Sequence, residues 1–92
     1  MQTRDAIALA QSALLFIIVD EDRLMPFLAQ TGADLSQLRV QAGEPEFLAF
    51  VLDYLLQSES VLTAFCEAES LPYDRPLAAR AALPGGADPH WT

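Results

Sequence analysis

A chain of 92 residues allows one small domain with its own core, and 52% hydrophobic residues is more than a disordered chain carries. The net charge of −8 comes from 13 acids against 5 basic residues, all arginine, and argues against binding nucleic acid or an anionic membrane surface. A single cysteine closes no internal disulfide and by itself holds no zinc; a reducing compartment fits it. Alanine and leucine supply 15 residues each, while Val, Ile and Thr total 11, and no stretch alternates with a period of two. These counts predict an all-α chain without a sheet.

The most apolar stretch, Ala6 to Val19, predicts helix 1 over Arg4 to Val19, with Thr3 as N-cap. Ile7, Ala10, Leu14 and Ile17 line one face, and Leu9, Ala13 and Phe16 widen it. The run is too short for a transmembrane helix. A secretory signal is also disfavoured, because Asp5 spoils its positive region and Asp20-Glu21-Asp22 stands where small cleavage-site residues belong. The chain is therefore expected in the cytoplasm. Helix 2 is expected over Glu21 to Gln30, capped by Asp20, with Leu24, Phe27 and Leu28 inward. Pro26 is placed late in its first turn, and Gly32 at a left-handed C-terminal position.

Helix 3 is expected over Leu35 to Gln41, where Asp34 and Gln37 have capping-box spacing. Leu35 and Leu38 are expected inward, and Gly43 closes it. Helix 4, over Pro45 to Gln57, is apolar nearly all round, with Glu46, Asp53 and Gln57 on a solvated stripe. Ser58 should cap helix 5 (Glu59 to Glu69), which buries Val61, Leu62, Phe65 and Ala68. Helix 6 is expected over Arg75 to Leu83 with Asp74 as N-cap, and Leu77, Ala81 and its other alanines permit close contact. The expected architecture is a compact, irregular bundle of five or six short helices over 1–86, centred on helices 1 and 4, with 87–92 as a tail.

Nine acids fall at expected helix starts: Asp5, Asp20, Glu21, Asp22, Asp34, Glu44, Glu46, Glu59 and Asp74. Unpaired N–H groups favour them there, so helix starts account for most of the acidity. No catalytic constellation appears. His90 lies in the tail, and Glu67 beside Cys66 would raise rather than lower the thiol pKa. Asp20-Glu21-Asp22 lacks calcium-loop spacing. No phosphate loop, nucleophile motif, cofactor motif or small-molecule site is evident, so an enzyme is not expected. Trp91 reads as a partner anchor or as a residue folded over the body. Helices 2 and 3 with Thr31-Gly32-Ala33, about residues 21–41, have the outline of a helix-turn-helix that would present Ser36, Gln37, Arg39 and Val40.

The run Phe27-Leu28, Thr31-Gly32, Leu38-Arg39, Pro45, Phe47-Leu48, Val51 through Leu56, Glu59, Leu62 and Phe65 resembles a small bacterial family known as domain of unknown function, family 3572. The resemblance runs from about Ala6 to Gly85 and implies a compact helical bacterial protein, with no activity, cofactor or catalytic residue attached. Glu69-Ser70 departs from the small residues and Gly expected before Leu-Pro. The expectation is a non-enzymatic protein-interaction module, with a homodimer as one form of that contact and with Trp91, Arg39 and Gln37 as contact residues. The alternative is a small DNA-associated regulator using residues 21–41.

Overall fold

The computed structural model describes residues 1–84, and these form six helices: α1 (Thr3–Ile18), α2 (Glu21–Thr31), α3 (Leu35–Gln41), α4 (Pro45–Leu56), α5 (Glu59–Glu69) and α6 (Arg75–Ala81). The all-α expectation holds among the described residues. The tail with His90 and Trp91 lies outside them.

The bundle is built on α1. Its buried residues are Ala6, Ala10, Ala13, Leu14 and Ile17, a stripe at helical spacing. The three alanines are fully buried. A methyl side chain lets a neighbouring backbone come close, and α4 and α6 both lie against α1. α4 answers with Leu48, Val51, Leu52 and Leu55, all fully buried. Phe27, the one buried residue of α2, meets the rings of Phe47, Phe50 and Tyr54 on α4 at centroid separations of 5.0–6.3 Å. Phe16 and Phe65 meet edge to face at 5.5 Å, tying α1 to α5. Arg23 closes the α1–α2 corner. Its guanidinium carbon stands 3.7 Å over the Phe16 ring, while Nε donates to the Phe16 carbonyl and Nη1 pairs with Asp20.

The helix ends follow local chemistry. Asp20 and Ser58 cap α2 and α5, accepting from the backbone N–H of Asp22 and Val61. Gly32 closes α2 at φ 72°, and its N–H reaches the Leu28 carbonyl. All nine acids expected at helix starts are N-caps or first-turn residues.

Several expectations are corrected. α1 starts at Thr3 rather than after it, because the Ala6 N–H already bonds the Gln2 carbonyl; Gln2 is the N-cap and offers no side-chain bond. Pro26 is the sixth residue of α2, so that helix forgoes the bond to the Asp22 carbonyl. α6 stops at Ala81, since the residue before Pro84 is disfavoured in helical geometry, and Asp74 makes no side-chain cap bond. Leu77, Ala81 and Ala68 are exposed; α6 packs through Pro76 and Ala79 instead. Asp53 is not merely solvated. Its two carboxylate oxygens accept from Arg80 Nε at 2.6 Å and Nη2 at 3.2 Å, a bidentate pair that joins α4 to α6.

α5 ends on Ser70 in the left-handed region, at φ 56°. The Leu71 N–H reaches back to the Cys66 carbonyl and the Ser70 N–H to the Glu67 carbonyl, the pairing of a Schellman cap. Glycine takes that φ without the Cβ clash that serine meets.

Two stability predictions follow from this packing. Ala10→Leu should overfill the α1 contact and cost about 1–3 kcal/mol in chemical denaturation. Ser70→Gly should instead stabilise by up to about 1 kcal/mol, despite the freedom it adds to the unfolded chain.

Candidate functional site

An α-helix with one buried stripe normally turns a polar face to water. α1 turns two apolar side chains to water as well, Leu15 and, at its C-cap, Val19, which are 60% and 68% exposed. Leu35, expected in the core, is 53% exposed at the start of α3, and Leu38 is the only buried residue of that helix. Seven residues make two turns, and one buried leucine is all that α3 can commit to the core while Leu35 stands at its outer edge.

Leu15, Leu35 and Leu38 frame a cleft of about 440 Å³ between α1 and α3. From α1 come Gln11, Leu14, Leu15 and Ile18. From α3 and its C-cap come Leu35, Leu38, Arg39 and Ala42. Gln11 spans the far end, where its Nε2 donates to the Ala42 carbonyl at 2.8 Å. That bond sets the C-terminal end of α3 against the middle of α1. The lining holds no acid, although acids outnumber arginines 13 to 5 in the chain. Arg39 is its one charged group, and among the described residues it has no hydrogen-bonded or ion-paired partner. Arg23 and Arg80, in contrast, are both paired with aspartates.

The expected contact residues separate here. Arg39 stands on the cleft. Gln37 does not: its Oε1 accepts from the Asp34 N–H at 2.9 Å, while Asp34 accepts from the Gln37 N–H at 2.9 Å. The capping box forms as its spacing predicts, and it engages the amide oxygen of Gln37. Trp91 lies outside the described residues. Leu15, Leu35 and Gln11 were not anticipated. The signal for Leu15 was present, because helix 1 is apolar beyond any one face.

The remaining chemistry-bearing groups lie elsewhere. Cys66 is buried on α5, and it is burial, rather than the neighbouring Glu67, that pushes its thiol pKa up. Glu67 instead accepts from the Tyr73 hydroxyl at 3.2 Å, which raises the pKa of Tyr73. No group of three His, Cys, Asp or Glu side chains among the described residues is arranged to hold a metal ion. No single helix there is long and apolar enough to cross a membrane; α4 and α5 reach that length only together, across a 108° bend.

Five helices packed with an alanine-striped α1, and an apolar cleft beside it, define a small all-helical protein among the described residues. The chain belongs to the family described as "Protein of unknown function (DUF3572)", whose sequence model matches residues 3–86. No curated protein and no solved structure matches it.

The start of α3 gives a pH prediction. Asp34 accepts from the Ser36 hydroxyl at 2.7 Å and from the Gln37 N–H, and both bonds hold its pKa below the ordinary 3.8. A depressed folded pKa means that the cap's contribution is complete above the unfolded value and is lost as pH falls through the lower, folded one. Carboxyl NMR titration should therefore place the Asp34 midpoint below 3.8. Ser36→Ala should move that midpoint upward.

Proposed function

We propose that this protein works by protein contact rather than by catalysis, and that the α1–α3 cleft is its contact surface. The observation that carries the reading is the cleft's make-up: exposed leucines on both walls, no acid, and one arginine without a partner among the described residues. An apolar groove between two helices suits a helix presenting apolar residues three or four apart. Arg39 adds a charge preference, so the fitting segment carries an acid beyond its apolar ridge. The same reading keeps the chain in the cytoplasm, with acids at both ends of its most apolar run.

The DNA-associated alternative finds less support. Gly32 does join α2 to α3 as a helix-turn-helix would require. However, α3 begins on the carboxylate of Asp34, the amide oxygen of its Gln37 is engaged in the cap, and Arg39 is its only cation. Phosphate contacts need more positive charge than that. Titration against random duplex DNA at low salt should show no binding.

The contact reading is tested by placing a photo-crosslinking residue at position 15 or 35, with position 77 as control. Leu77 is 61% exposed on α6 and lies outside the cleft. Adducts in native lysate should form from positions 15 and 35 and far less from 77. The attached peptides, read by mass spectrometry, should be apolar at helical spacing with a flanking acid. Equal adducts from all three positions, or none, would overturn the reading.

A further inference from the structure

The segment that the cleft calls for, under the reading just given, is present in the chain itself. Leu15 and Val19 stand four residues apart on the outer face of α1, both exposed. Three acids follow at once. Asp20 is occupied, since its carboxylate accepts from the Asp22 N–H and pairs with Arg23. Glu21 and Asp22 are exposed, and their carboxylates have no partner among the described residues. An apolar i, i+4 ridge ending in free acids is the complement of an apolar groove ending in a free arginine.

Direction agrees with chemistry. The Gln11–Ala42 bond fixes the C-terminal end of α3, with Arg39 one turn earlier, beside the middle of α1, about two turns before its end. The acids lie past the C-terminal end of α1. Two copies of α1 crossing antiparallel at Leu15 would carry the acidic end of each towards the Arg39 end of the other. Val19 lies about 6 Å along the axis from Leu15, and Gln11 about 6 Å the other way, so Val19 of one copy comes level with Gln11 of the other. Leu15 also fits the centre of such a crossing. It lines the cleft on one side and, on the other, a smaller depression shared with Ser12, Phe16, Val19 and Glu69.

We infer that the occupant of the cleft is a second copy of this chain. The two form an isologous, two-fold dimer in which Leu15 and Val19 of each copy pack on the α1–α3 cleft of the other. Arg39 of each faces Glu21 and Asp22 of the other. The net charge of −8 on each copy opposes association, so the two Arg39 contacts are what give the pairing its direction.

The test is sedimentation equilibrium on the full chain, run on the wild type, on Arg39→Glu and on Glu21→Arg/Asp22→Arg, each alone and the two variants mixed. The wild type should dimerise in the micromolar range. Each variant alone sets like charges against each other twice and should dimerise at least about tenfold more weakly. The equimolar mixture restores both opposite-charge contacts and should regain the wild-type association, which no merely structural role for these residues would produce. Leu15→Glu, at a position exposed in the single copy, should stay helical by circular dichroism and monomeric, which keeps the test open if a charge variant fails to fold. A wild type that stays monomeric at high micromolar concentration, or a mixture no better than its components, would overturn the dimer. If positions 15 and 35 still crosslink to another protein in that case, the second copy is ruled out and the contact surface stands. If they crosslink to nothing, both readings fall together.

Discussion

The close approach allowed by three buried alanines on α1 is the constraint on which the rest of the bundle depends. Ala6, Ala10 and Ala13 leave no room between α1 and its neighbours, so α4 and α6 can both lie against one 16-residue helix. With so few residues, a core of leucines on every helix would hold the backbones apart and leave less of the chain to cover it. Small residues on the central helix let large ones on α4 and α2 reach the middle, where Phe27 collects three aromatic neighbours.

That same economy explains why a cleft exists. α1 turns its alanine stripe to α4 and α6 and gives Phe16 to Phe65 and Arg23, which leaves Leu15 and Val19 without cover. α3 is too short to cover them. α4, although equally apolar in sequence, is enclosed by its neighbours and exposes chiefly Glu46, Asp53 and Gln57. The apolar surface of the cleft therefore belongs to α1 and α3, and the charge around it is set by where helices begin. Acids gather at the start of α2, while Arg39 stands near the end of α3, as the helix dipole favours.

Much of the fold was legible because the helix boundaries carry explicit chemistry. Asp20, Ser58, Gly32 and the Asp34–Gln37 pair each specify a terminus through side-chain hydrogen bonds or a positive φ, and those signals are local. What the sequence obscured was which apolar residue faces what. Leu35 and Leu38, three apart, share a helix face on any periodic reading, yet only Leu38 has a wall to meet. Leu77 and Ala68 were misplaced for the same reason: periodicity assigns a face but does not say whether another helix lies beyond it. Arg39 could be named in advance as exposed; its solitude in an acid-free groove depends on α1 and could not. The engagement of the Gln37 amide oxygen in the cap follows from the same local spacing.

The manner in which α3 is held gives the cleft a mechanical character. α3 packs thinly on its neighbours, through one buried leucine and one amide bond from Gln11, and the Gln41 Oε1 beside its end is buried without a hydrogen-bond partner among the described residues. An element secured so lightly opens at a lower free energy than the bundle as a whole. The groove thus has one stiff bank and one compliant bank, and its width is a thermal average. Whatever enters it must still that movement, so part of the attraction is consumed in ordering α3 and the residence time is shortened accordingly. Such a surface suits contacts that are made and released repeatedly, and stiffening α3 would tighten them without adding a single atom to the interface.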